Sequence, residues 1–363
     1  MSVINLSNEN YKTGKYPLFL GEKLGLHDSV NVTYPEIFSL YKKQKAQDWS
    51  EDEVSLDQSR KDFATCSKNN YDIMIKTLSW QWEADSVAKS IITLFSPFIS
   101  NPELGLAWLK VSEIEGLHAL TYSEIVRQCI SNPNDVFEEI IKNEQISNRL
   151  GVIAELFTTL EQEGAKHTLG ISTLSLDEKR LLLWKGVIAL LALENIEFLS
   201  SFAATFSLAE QGLFVGVGKL VQKIMLDEND IHVQLDLTIV KILMEDPDWM
   251  RVFNSNATEI KEILDAVVGQ EEDWSQYIFS EGRVILGLNE TLLKEWVYYN
   301  AAPVYKKLKL DYDFVAPKKN PLPWMDTWLN PNLIMTANQE IQSTAYKVNI
   351  MKQVDDTDLE FDF

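Results

Sequence analysis

The sequence predicts an all-α protein: an antiparallel helical bundle with further helices packed around it and a flexible C-terminal tail. Three observations carry this expectation. Apolar residues recur at helical spacing over segments longer than the usual three to four turns. The 363 residues include only 15 glycines and 11 prolines, well below average usage of these chain breakers. Hydrophobic residues make up 45% and charged residues 24%, the mix of a chain that builds a core.

Taken in order, the first thirty residues mix Asn, Gly, Lys and Tyr without a helical period and read as an extended arm. Helical spacing begins at Pro35, with Ile37, Leu40 and Tyr41 on one face. A second helix is expected over 67–98 and a third over 102–130. The segment 132–136, NPNDV, reads as a turn with a cap at Asn134 or Asp135. Further helices fit 136–146, 150–164, 176–206, 210–248, 257–268 and 276–310, the antiparallel elements of a bundle. From Pro317 the composition shifts. APKKNPLPWMDTWLNPN carries four prolines and two tryptophans and reads as an irregular strap on the bundle surface. After Asn338 the apolar period fades, and the last nine residues, DDTDLEFDF, hold five acids and three apolar side chains. Such a segment buries too little surface to offset its ordering entropy, so it is expected to be disordered alone. The expected organisation is one helical domain over 1–337 and a tail over 338–363.

The charge is strongly acidic, 33 basic against 54 acidic residues, net −21. Phosphate-rich surfaces repel such a chain, which argues against nucleic acids and anionic membranes as partners. Cys66 and Cys129 form no CxxC pair and no disulfide framework, consistent with reduced thiols in a cytoplasmic protein. The N-terminus has no basic start followed by an apolar stretch, so no signal peptide is expected. The most apolar run, 181–199, is interrupted by Lys185, Glu194 and Glu197. It reads as a helix buried in protein rather than in lipid, and its charges then need partners.

Four histidines are present, and two stand near carboxylates on expected long helices. Glu115 and His118 are three residues apart, and Glu228 and His232 four apart; both spacings place the pair on one helical face. Asp85 and Glu194 are isolated acids within apolar helices. One carboxylate–histidine pair alone is a weak signal. Two pairs and two isolated acids on four long helices match the ligand set of carboxylate-bridged dimetal bundles. Hard oxygen donors with one imidazole per metal suit iron or manganese, and the metal charge offsets acids that would otherwise repel in a dry core. Tyr122 lies one turn beyond His118, which places its phenol beside the same metal.

These residues resemble the radical-generating small (beta) subunit of class I ribonucleotide reductase, over most of the chain from Trp49 onward. The resemblance implies a ferritin-like bundle and a dimetal site, two irons or alternatively manganese, held by Asp85, Glu115, His118, Glu194, Glu228 and His232. It implies a stable tyrosyl radical on Tyr122, in EGLHALTYSEI, shielded by Phe198, Phe202 and Ile224. Shielding suits the chemistry, because a phenoxyl persists only where water and reductants are excluded. Trp49 in QDWSEDEV and Asp227 before Glu228 match the family's radical route, with Asp227 accepting the far N–H of His118 and fixing its tautomer. NPLPWMDTWL resembles the family's strap, Tyr346 in STAYKVN its tail tyrosine, and the acidic end the peptide that docks on a separate large (alpha) subunit. A homodimer is also implied.

One departure stands out: the second pair is ExxxH, where the family has ExxH. A single-turn π-bulge would absorb the extra residue, as such bulges occur at functional sites; otherwise Asp230 or Asn229 enters the coordination sphere. The competing reading is another carboxylate-bridged di-iron oxidase or oxygenase of the same fold, which shares the ligand types but has no use for Tyr346 and a docking tail.

Overall fold

The computed structural model describes residues 5–330. Among them the elements are α-helices, with no β-strand. They are α1 (Pro35–Ala46), α2 (Asp57–Thr65), α3 (Lys68–Ala88), α4 (Ile91–Phe95), α5 (Pro102–Cys129), α6 (Pro133–Lys142), α7 (Glu144–Arg149) and α8 (Gly151–Leu169). There follow α9 (Leu176–Ala192), α10 (Phe198–Glu210), α11 (Val215–Asp227), α12 (Val233–Glu245), α13 (Pro247–Ser255), α14 (Ala257–Ile278), α15 (Glu290–Leu308) and α16 (Met325–Trp328). Two π-turns, Leu193–Glu197 and Glu228–His232, join α9 to α10 and α11 to α12 without breaking the rods.

The long helices start where the sequence supplies a cap. Asn101 accepts the N–H of Leu104 and Pro102 follows it, so α5 begins with its first donors satisfied. Ser175 and Glu178 form a reciprocal capping box at the start of α9. The centre of the bundle is α3, α5, α9–α10 and α11–α12. α5 packs on α3, α3 on α10, and α10 on α11, while α14 and α15 close the far side. One contiguous apolar core runs through all of them and includes five fully buried tryptophans, Trp80, Trp108, Trp184, Trp274 and Trp296.

The N-terminal arm is extended, as its composition indicates. It lies along α5, with Tyr16, Leu18 and Phe19 buried and Ser100 donating its N–H to Leu18. At the other end, residues 310–324 form the irregular strap. It is pinned by Leu322 and Met325 in the core and by Trp328, which stacks on Phe206 at 4.4 Å. The rod 176–210 is apolar and long enough to cross a membrane, yet 94% of its apolar window lies inside the protein. Of its charges, Lys185 pairs with the part-exposed Glu259, Glu194 faces the acid cluster described below, and Glu197 is buried with neither carboxyl oxygen hydrogen-bonded.

Several boundaries differ from expectation, each for a local reason. α2 was not anticipated. The expected helix 67–98 breaks after Ala88, where Ile92 gives its N–H to Ser112 on α5 at 3.0 Å. Asn132 rather than Asn134 or Asp135 precedes α6, because Pro133 takes the first helical position. Asn143 splits 136–146 by capping α7 with its side chain. The expected break after 268 is absent; Gly269 stays helical, and α14 runs to Ile278. The chain turns instead at 279–289, where Glu281, Gly282 and Gly287 adopt positive φ.

At Gly216 a Cβ would come within 2.7 Å of the Ser55 carbonyl oxygen, whereas Gly269 has nothing within 4 Å of that position. Gly216→Val is therefore expected to lower stability by about 1–3 kcal/mol. Gly269→Ala should raise it by about 0.5–1 kcal/mol through helix propensity. Paired thermal or urea melts of the two variants check both signs.

Candidate metal centre

α3 supplies Asp85, and α5 supplies Glu115, His118 and Tyr122 one turn apart along its inner face. Glu194 sits in the first π-turn, and Glu228 and His232 bound the second. In that second turn Val233 gives its N–H to the Glu228 carbonyl, five residues back. The added residue of ExxxH is thus absorbed as a π-turn, and Glu228 and His232 both reach the interior. All six side chains are at most 1% exposed.

Their donor atoms converge in two groups that share two members. Asp85, Glu115, His118 and Glu228 form one; Glu115, Glu194, Glu228 and His232 form the other. Within each group the ligand atoms lie within 4.8 Å of one another. His118 Nδ1 is 3.0 Å from Glu228 and 3.4 Å from Glu115, and His232 Nδ1 is 2.8 Å from Glu228 and 2.9 Å from Glu115. Both carboxylate oxygens of Asp85 and Glu194 lack a hydrogen-bond donor, and Glu115 has only the two imidazoles beside it. Buried carboxylates without donors are costly, so this donor set asks for cations. Hard oxygens with one imidazole in each group fit two first-row metal ions, with Glu115 and Glu228 placed to bridge them.

The electrostatics follow from burial and proximity. Burial, then Glu115, pushes Asp85 well above the usual carboxylate range; burial, then Glu228 and Glu115, does the same to Glu194. For the imidazoles burial works downward, but the surrounding carboxylates outweigh it. His118 is held well above its ordinary value, and His232 is raised to about 10. Glu228 moves the other way. Burial opposes its ionisation, but His232 and His118 hold it well below the ordinary range.

Asp227 lies on the outer side of His118. Its Oδ2 is 3.2 Å from His118 Nε2 and accepts the indole N–H of Trp49 at 2.7 Å, while its Oδ1 accepts from Gln44 at 2.8 Å. With Nε2 turned to Asp227, the Nδ1 lone pair of His118 faces the acids. Trp49 also stacks on His118, with ring centroids 6.0 Å apart. Tyr122 is fully buried with an unpartnered hydroxyl. Burial, then Asp85, Glu228 and Glu115, pushes this phenol well above its ordinary value. Phe198, Phe202 and Ile224 are fully buried in the same apolar cluster as Tyr122, and Phe198 and Phe202 stack at 5.7 Å.

Asn229 and Asp230 stay outside the ligand groups. Asp230 accepts from Asn229 at 3.1 Å and lies 3.7 Å from Lys43. Tyr346 and the tail 338–363 lie outside the described residues. Gln44 and Asp236 are site neighbours not foreseen. Asp236 is buried one turn beyond His232, and burial raises it well above the usual range. The spacing of His232 and Asp236 could have flagged the latter; nothing local flags Gln44, which reaches Asp227 from a distant helix.

Raised carboxyl groups bind protons in the folded state that the unfolded chain would have released. For metal-stripped protein, the Asp85 and Glu194 contributions are therefore full below the ordinary carboxylate pKa. They are lost as pH rises through the folded values. Glu194→Gln should weaken that loss, raise the melting temperature of stripped protein near neutral pH, and lower the metal bound per chain. Melts from pH 4 to 8 with parallel metal analysis check all three.

The family model "Ribonucleotide reductase, small chain" matches residues 27–321. The chain is 30% identical over 359 residues to ribonucleoside-diphosphate reductase 1 subunit beta of Escherichia coli O157:H7, covering 95% of this chain and 94% of that one. It is 29% identical over 362 residues to the ribonucleoside-diphosphate reductase subunit beta of Haemophilus influenzae, covering 95% of each. Among solved structures, the ribonucleotide reductase R2 subunit from Clostridium botulinum superposes with a TM-score of 0.75 at 21% identity, over 91% of this chain and 98% of that one. Streptococcus sanguinis dimanganese(II)-NrdF superposes with a TM-score of 0.65 at 16% identity, over 86% and 100%. The matches favour the reductase reading over the oxygenase alternative and agree with the ferritin-like bundle. Matched over most of its length and carrying this buried carboxylate–histidine cluster, the chain belongs to the ribonucleotide reductase small-chain family.

Proposed function

We propose that this beta subunit of ribonucleoside-diphosphate reductase generates a stable radical on Tyr122 and passes it to a large subunit, where ribonucleotides are reduced. The observation that carries the reading is the fully buried, unpartnered Tyr122 hydroxyl beside six convergent ligand side chains. Two bound iron ions, or manganese as in the Streptococcus sanguinis relative, supply the redox equivalents for reaction with O2. Asp85, Glu115, His118 and Glu228 would hold one ion and Glu115, Glu194, Glu228 and His232 the other.

Tyr122 would give one electron to the oxidant that the bound metals and O2 supply and release its phenolic proton, leaving a neutral phenoxyl. The phenol makes no hydrogen bond, and the acids that act on it are Asp85, Glu228 and Glu115, so these are the groups on that side available to take the proton. Burial with Phe198, Phe202 and Ile224 keeps water from quenching the radical. Trp49 is the exit. Its N–H already points at Asp227, so an electron can leave the indole as its proton shifts across a 2.7 Å hydrogen bond. Reduction of Tyr122 and oxidation of Trp49 then balance, and Tyr346 in the tail carries the equivalent onward. The acidic tail 338–363 docks on the large subunit, and the working form is a homodimer in the cytoplasm.

Loading the protein with ferrous iron and exposing it to O2 should give a tyrosyl signal by electron paramagnetic resonance. Tyr122→Phe should abolish that signal with metal binding intact. If the signal persists in Tyr122→Phe, the radical sits elsewhere. Asp227→Asn and Trp49→Phe should keep the Tyr122 signal but lose at least about 100-fold in turnover with the large subunit. Truncation at 338 should abolish binding to that subunit, measured by calorimetry or pull-down.

A further inference from the structure

Several indoles lie near the centre, and they differ in the partner of the N–H and in how close a cation approaches the ring. Trp49 gives its N–H to a carboxylate, and the nearest cation over its ring, Lys223 Nζ, is 5.7 Å from the centroid. Trp80 and Trp274 differ on both counts. Their N–H groups have no hydrogen-bond partner, and the Arg149 guanidinium lies 3.6 Å from the Trp80 ring centroid and 4.4 Å from that of Trp274. Arg149 is only 2% exposed and heavily anchored. It pairs with Glu271 through two nitrogens, donates to Ser201 at 2.7 Å and to Ser200 at 2.8 Å, and donates to the Glu197 carbonyl at 2.9 Å.

Trp80 is linked to the site through α3 and through Phe198. It stands five residues before Asp85 on α3, about 7.5 Å of helix rise. Its ring also meets Phe198 at 5.3 Å, one turn beyond Glu194. Beyond Arg149, Trp274 touches the half-buried Tyr277 at 5.6 Å. Phe198, Trp80, Trp274 and Tyr277 thus form an aromatic file from the centre toward the surface, with the guanidinium inserted between the two indoles.

We propose that Arg149 insulates the radical site, blocking oxidation of Trp80 and Trp274 so that oxidising equivalents leave through Trp49. The inference rests on the Tyr122 reading. In the blocked step one electron would pass from the Trp80 indole to the Tyr122 phenoxyl, which would take back the proton released to the neighbouring acids and return to phenol. It would leave an indole radical cation against a fixed guanidinium, with no acceptor for the N–H proton. Both features oppose the step: like charges repel strongly at this range in a dry interior, and the cation cannot relieve itself by deprotonation. Glu271 bonds to the edge of the guanidinium, whereas the rings lie over it, so each indole meets the positive group first.

The test compares the full-length parent with the neutral-pair variant R149M/E271Q, which avoids stranding a buried carboxylate. Each is cycled through ferrous iron and O2. Radical per bound iron is read by electron paramagnetic resonance, and oxidised tryptophan is located by peptide mapping. The variant should give a radical yield lower by at least about twofold, with oxidised Trp80. Adding Trp80→Phe should restore the yield, a rescue that a merely structural role of Arg149 would not show. Parental yield with Trp80 unmodified overturns the proposal, as does a loss that Trp80→Phe does not restore. If the parent itself forms no radical, the Tyr122 reading fails. The map then decides insulation alone: Trp80 oxidised only in the variant supports it, and any other pattern overturns it. If the variant does not bind iron, the parent's map decides. Trp49 oxidised with Trp80 and Trp274 intact supports insulation, and any other pattern overturns it.

Discussion

The structure depends on one electrostatic constraint: four carboxylates share a space from which water is excluded. Asp85, Glu115, Glu194 and Glu228 have almost no hydrogen-bond donors among them. An acid in that position must be protonated or face a cation. The two imidazoles partly meet the requirement, and their raised proton affinity measures how strongly the acids call for positive charge. Metal ions meet it fully. The surrounding shell of large apolar side chains keeps the demand high, because solvation from outside cannot relieve it. Stability and chemistry therefore pull against each other at this point, and the long, well-capped helices hold the arrangement open.

The helical rods deliver these acids by two different devices. On α5 the ordinary 3.6-residue turn suffices, and Glu115, His118 and Tyr122 line one face. On the two facing rods the backbone departs from α geometry where ligands are needed. Both π-turns begin at or next to a glutamate of the buried cluster, Glu194 and Glu228. Each inserts one residue without ending the rod, so the helix on either side keeps its packing while the turn re-aims its side chains. This explains how ExxxH and ExxH can serve the same purpose. What the geometry requires is the direction of the side chain, not a fixed spacing in sequence.

Much of this could be read in the residues. Scarce breakers and long apolar periods implied the bundle, and acids inside apolar helices implied a site, because an unpaired interior charge demands a reason. The candidate ligand positions and Tyr122 follow from spacing together with family resemblance, and the Asp227–Trp49 pairing from the resemblance alone. What sequence reasoning missed is non-local. Gln44 on Asp227 joins residues 183 apart, and Arg149 with Glu271 joins residues 122 apart. No periodicity reports such pairs. The misplaced break near Gly269 has another cause. A glycine in the middle of a helix costs only about 1 kcal/mol, which packing on α15 and α9 overrides. The real turn needed positive φ at successive positions, a property of the folded backbone.

The adjacent pair Asp227 and Glu228 shows how inward and outward functions are tied to one segment. Consecutive helical residues point about 100° apart. With Glu228 turned into the carboxylate cluster, Asp227 must face another way, toward the outer edge of His118. There it takes the imidazole Nε2 and the Trp49 N–H on the same oxygen. The π-turn starts at Glu228, so Asp227 remains the last residue of regular α11 and keeps the rigidity of that helix. Any rotation of α11 that moved Glu228 out of the cluster would also pull Asp227 from Trp49. The acid cluster and the Asp227–Trp49 hydrogen bond are therefore coupled through one backbone step, and neither can be repositioned alone.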